Sequence, residues 1–280
     1  MHIWLEFRRS HFALAGFILL ALFTAITILA PLLAPYDPDL QNTNAILLPP
    51  AWEPSGNIAH VLGTDGLGRD VLSRLLYGVR TTFGASIVLV LTAILVGVSL
   101  GTLAGMSRGV KSSILNHLLD SLMAIPTLLI AIIIVAILGT GLVNSMLAIT
   151  LALIPQYVHQ TRNFVRAEME KDYILLDKLD GATRPQIFWR SILPAMFELL
   201  AVQSSLALSI AIIDISALGF LNLGAQQAVE LGASLSQSLD VAYVAPWLVA
   251  LPGLFIFMMV LAVNVVGEGM RSALRNRLNH

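Results

Sequence analysis

The sequence predicts an all-α integral membrane protein with six transmembrane helices. Three observations predict it. The 280-residue chain is 57% hydrophobic and 12% charged, about half the charged share of a soluble domain. Its apolar residues gather into six stretches, each long enough to cross a hydrocarbon core of roughly 30 Å as a helix. Its Lys and Arg residues then fall almost entirely on one side of those stretches. The net charge of −1 offers nothing to nucleic acid, and with no Cys there is no disulfide, thiol nucleophile or thiolate metal site.

Residues 1–12 carry Arg8 and Arg9 ahead of the first stretch, 13–33, which is charge-free. It is too long for the apolar region of a signal peptide, about 7–15 residues, so it is expected to stay as an uncleaved anchor. Residues 34–83 form the longest loop. Its first part is Pro-rich ("APYDPDL", "LLPPAWEP"). Its second, "GTDGLGRDVLSRLLYGVRTTF", has Leu67, Val71, Leu75 and Val79 at four-residue spacing. That pattern predicts a helix lying at the membrane interface, capped by Thr64 or Asp65, with its arginines on the far side. It is a connector or a docking element for a substrate-delivery protein.

Residues 84–267 hold the remaining five stretches: 84–106, 115–138, 142–165, 191–213 and 244–266. In the first of them Gly97, Gly101 and Gly105 make a small-residue ridge that predicts close helix packing. With both termini cytoplasmic, 13 of the 16 Lys and Arg residues lie inside, leaving Arg69, Arg74 and Arg80 outside. Residues 268–280 then form a cytoplasmic C-terminus.

Between the fourth and fifth stretches, residues 166–190 form a charged cytoplasmic insert. Tyr173, Leu176, Leu179 and Ala182 fall on one face of a short helix. Gly181 suits a helix-ending turn, and Pro185 suits the first turn of the next helix. The expected product is a helix–turn–helix elbow, apolar on one side, able to enter a groove on another protein and pass motion to the flanking spans. The chain carries no G-x-x-x-x-G-K-[ST] motif, so ATP hydrolysis is not expected of it, nor is a resident cofactor or metal; His117 and His159 stand alone. Charged residues within spans are functional candidates. Asp120 is either an interfacial cap or a coupling residue. Glu198, about one turn past Pro194, either pairs with an arginine such as Arg190 or is a gate or coupling residue. Asp214 either lines an outer gate or is hydrated.

The elbow resembles the "EAA" loop of ABC importer permeases, with Gly181 and Leu193-Pro194 at the motif's spacing. It departs at the E-A-A positions, here Leu175, Leu176 and Asp177, and at the Ile position, here Ser191. "LGTDGLGRDVLSRLLYG" (62–78), "ILNHLLDSLMAIPTLLIAII" and "AIIDISALGFLNLGAQ" (211–226) resemble the dipeptide/oligopeptide/nickel "C" type of these permeases. "LNHLLDSLMAIP", "YVAPWLVALPG" and "DGAT" are similar to its Sap-type branch, associated with sensitivity to antimicrobial peptides. "AQQAVELGASL" lacks that group's usual Pro-Pro and Glu-Trp-Gly elements.

The resemblance implies an anchor helix plus a five-helix type I permease core in a bacterial inner membrane. It implies a homologous second permease, two ATP-binding subunits carrying ATP and Mg, and a periplasmic substrate-binding protein. ATPase docking and coupling would fall to Lys171, Asp172, Tyr173, Leu176, Asp177, Leu179, Asp180, Gly181, Ala182, Leu193 and Pro194. The cargo implied is a peptide, antimicrobial peptides among them. Polyamine export and nickel or haem uptake are the alternatives within the family, and an ion-coupled secondary transporter is the alternative outside it.

Overall fold

The computed structural model describes residues 7, 8, 10–107, 119, 121–225 and 228–278. Its elements are α1 His11–Leu33, α2 Val71–Met106, α3 Thr127–Leu138, α4 Leu142–Glu168, α5 Asp172–Leu179, α6 Arg184–Ile187, α7 Leu193–Phe220, α8 Leu231–Gln237 and α9 Trp247–Leu278. Among the described residues there is no strand, only an isolated bridge between Thr64 and Asp70. Among the described residues five helical segments are long and apolar enough to cross a membrane, and α3 is a shorter apolar helix. The all-helical membrane fold expected from composition is therefore present.

Two expected elements take a different form. The interfacial helix is not separate. It is the first part of α2, a single helix of 36 residues, about 54 Å at 1.5 Å per residue. No proline interrupts it. Its apolar stripe (Val71, Leu75, Val79, Phe83) is buried against α1, α8 and α9 rather than against lipid. Its N-cap is Asp70, whose carboxylate accepts from the Ser73 N–H at 2.8 Å, not Thr64 or Asp65. Asp65 instead closes the preceding turn, accepting from Leu67 N–H at 2.9 Å and Arg69 N–H at 3.0 Å. Arg74, placed on the outer side by the sequence pattern, is buried.

The other difference is the span expected at 115–138. Residues 124–126 leave the helical conformation, and α3 restarts after Pro126, its N-cap, with 12 residues. Pro126 lacks the N–H that would continue the ladder. The last two spans also run past their expected ends, to Phe220 and Leu278.

The glycine ridge sets the central packing. A Cβ on Gly97 would lie 2.4 Å from Tyr157 Cβ, one on Gly101 2.7 Å from Thr161 Cβ, and one on Gly105 2.8 Å from Val165 Cβ. The three glycines thus let α2 and α4 touch nearly backbone to backbone. Around that seam Leu89, Ala93, Val135, Ile149, Leu153 and Ile215 join α2, α3, α4 and α7 into one core. A second core binds α1 to α2, α8 and α9.

Candidate functional site

The elbow is built from the end of α4 and the start of α7. The last residue of α4, Glu168, is buried and collects two donors from the following turn. Lys171 Nζ lies 2.8 Å from Glu168 Oε2, and the Tyr173 hydroxyl donates to Glu168 Oε1. Partial burial, that hydrogen bond and the nearby carboxylates push the Tyr173 phenol up to about 12, so it remains a neutral donor. Asp172 in the first turn of α5 and Lys178 in its last turn complement the helix dipole. Lys178 Nζ also donates to the Met169 carbonyl at 3.2 Å, tying α5 back to α4.

The turn is a Schellman motif. The Ala182 N–H donates to Asp177 O at 3.0 Å and the Gly181 N–H to Lys178 O at 3.1 Å, with Asp180 as C-cap. Gly181 has φ +84°, in the left-handed region that costs an L-residue about 1–2 kcal/mol. Thr183 then opens α6, its N–H donating to Gln186 Oε1 at 2.8 Å, with Pro185 in the first turn. A π turn, Phe188–Ile192, joins α6 to α7, with Leu193 N–H donating to Phe188 O. It ends two residues before Pro194, which has no N–H to give to the preceding turn.

Ile174, Ile187, Ile192, Met196 and Val165 form the small core that fixes this elbow to the spans. The apolar face expected from the sequence points the other way. Tyr173, Leu176 and Leu179 are 41%, 61% and 75% exposed, and Ala182 is half-buried at the turn. Asp172 and Asp180 are exposed beside them, Pro194 is exposed and Leu193 is half-buried. The elbow therefore spends one residue of α5, Ile174, on its own core and leaves the rest of its apolar surface outward.

Two contacts escaped the sequence reading. Ser191 Oγ donates to Asp177 Oδ2 at 2.9 Å, clamping α5 to the π turn. These are two of the positions where the loop departs from its motif, and the departures meet in space. Ile174 was also missed; it sits between Tyr173 and Leu175 and only the fold distinguishes it.

The remaining candidates are dispersed. Asp120 lies outside the described residues, as does His117. Glu198 is half-buried in α7, and Arg190 is exposed on the π turn. Asp214 is buried two turns inside α7, where it accepts from Thr127 Oγ1 at 2.9 Å. It links α3 to α7 and is not a hydrated helix end.

The architecture is that of an ABC importer permease. A chain of the inward-facing MetNI methionine ABC transporter superposes with a TM-score of 0.54 at 18% identity, covering 71% of this chain and 97% of that one. Sequence comparison fixes the family. Residues 94–280 match the binding-protein-dependent transport system inner membrane component, and residues 2–50 match the N-terminal transmembrane domain of oligopeptide transport permease C. The chain belongs to this family: it is a permease subunit of an ABC importer, a multi-pass inner-membrane protein. It is 45% identical over 272 residues to the peptide transport system permease protein SapC of Escherichia coli O6:H1, covering 97% of this chain and 92% of that one. It is 42% identical over 276 residues to the dipeptide transport system permease protein DppC of Haemophilus influenzae, with 98% and 94% covered.

Proposed function

We propose that this chain forms one half of a peptide-conducting pore, completed by a homologous permease and driven by two separate ATP-binding subunits that dock on the elbow. The relatives at 45% and 42% identity, a peptide and a dipeptide permease, support the cargo. One observation carries the coupling role. The exposed apolar face of α5 (Tyr173, Leu176, Leu179) stands on a base rooted in both α4 and α7. A load on α5 is thereby delivered to two spans at once. Energy enters through ATP and Mg held by the partner subunits. Cargo arrives from a periplasmic binding protein, and both termini face the cytoplasm.

Affinity purification in mild detergent followed by mass spectrometry tests the assembly. A second permease and Walker-motif ATPases are expected with the wild-type chain, and the ATPases are lost from Leu179→Asp while the chain stays in the membrane. A wild-type chain isolated alone across detergents would overturn the assignment of docking to the elbow.

A further inference from the structure

At the end of α2 remote from the elbow lies a cavity of about 460 Å³ between the start of α2, α8 and the start of α9, within the size range of small-ligand sites. Its polar wall is built, not incidental. Asp65 Oδ2 holds Arg69 Nε at 2.7 Å and Arg74 Nε at 3.6 Å. Arg74 is further fixed by the Pro38 carbonyl at 3.2 Å and Asp39 at 3.3 Å. Both arginines then donate through Nη2 to one atom, Gln237 Oε1, at 3.3 Å from Arg69 and 3.4 Å from Arg74. These are long contacts to an uncharged acceptor on an exposed side chain. A carboxylate oxygen in that place would make shorter, charge-assisted bonds. Asp240 supplies a negative group on the same cavity, and Leu75, Leu248 and Pro252 supply its apolar surface.

We propose that this cavity is a staging site for a short peptide with free termini. The peptide's α-carboxylate displaces Gln237 from Arg69 and Arg74. Its α-ammonium turns to Asp240, and a side chain lies on Leu75 and Leu248. The paired charges suit a zwitterion better than an anion, because Asp65 and Asp39 already offset the two arginines. The volume is far too small for a two-chain lipid. The inference rests on the peptide reading above.

The test uses the complete transporter with its ATPases and binding protein in proteoliposomes, measuring uptake of radiolabelled Ala-Phe. Gln237→Glu places a fixed carboxylate between the guanidiniums and is expected to lower uptake about tenfold or more. Gln237→Ala frees them and is expected to keep or raise uptake. A contact that merely braces the fold demands the reverse, since Glu would strengthen the brace and Ala remove it. That reversed order, or two variants equal to wild type, overturns the site while leaving peptide transport standing. A lipid found by native mass spectrometry in wild type and absent from Gln237→Glu also overturns it. A wild-type transporter that takes up no peptide brings down the peptide reading itself, and the site with it.

Discussion

Replacing Gly101 with Ala tests the seam between α2 and α4. The new Cβ would stand 2.7 Å from Thr161 Cβ and 2.8 Å from the Val158 carbonyl oxygen. One is a β-branched carbon and the other backbone, so neither can swing away. Relief requires the two helices to part by about 0.7 Å to reach ordinary contact, a repacking that costs about 1–3 kcal/mol. Ala also gains about 1 kcal/mol over Gly in helix propensity, which masks part of the effect. Gly84→Ala removes that ambiguity. It lies in the same helix, and its Cβ would meet only Thr27 Cγ2 at 3.4 Å. The difference between the two variants cancels the propensity gain and leaves the steric cost. Thermal unfolding of the purified transporter, followed by size-exclusion chromatography, should place Gly101→Ala below Gly84→Ala by on the order of 2–10 °C. Equal midpoints would refute the backbone-to-backbone seam.

Three further outcomes are expected. Asp177→Ala and Ser191→Ala should each weaken ATPase co-purification. Their double variant should cost no more than either single one, a coupling of about 1 kcal/mol; strict additivity would mean the two do not act through one bond. Gly181→Val should loosen the elbow and reduce transport through its φ alone, since nothing lies within 4 Å of the added Cβ; unchanged transport would remove the turn from the coupling path. Glu230, fully buried at the start of α8, has its carboxyl raised from 4.5 to about 7 by burial, partly offset by the Ala225 N–H. Its folded form holds the proton longer than the unfolded one. The stability it contributes is complete below about 4.5 and is lost as pH rises through about 7. Glu230→Gln should flatten the fall in melting temperature over that window, and a wild-type melting temperature without slope there would contradict the burial.

What the sequence made legible was local. The presence of spans follows from apolar runs, a close-packed face on α2 from glycines four apart, and the elbow's turn from Gly181 and Pro185, because each depends on neighbours in the chain. What stayed hidden depends on residues far away. Arg74 reads as an outward charge until Pro38 and Asp39 are folded over it. The apolar stripe from Val71 to Phe83 fits a membrane surface as well as it fits α1, α8 and α9, and periodicity cannot tell lipid from protein as the covering medium. The break before α3 turned on Pro126, which many membrane helices absorb. The Asp177–Ser191 clamp could not be read from a motif, since it arises where the motif is abandoned.

The π turn at Phe188–Ile192 has a consequence for how the elbow and α7 keep phase. A wide turn adds one residue to the helical count, and one residue is about 100° of rotation. Ile187 before it, Ile192 at its end and Met196 beyond it all reach the same small core. Regularising the ladder here without removing a residue would swing everything on one side of it by that angle. Tyr173, Leu176 and Leu179 would then present to a different azimuth around the transporter while their own helix stayed intact. The elbow's aim is thus set by a vernier in its root, separate from the chemistry of its face.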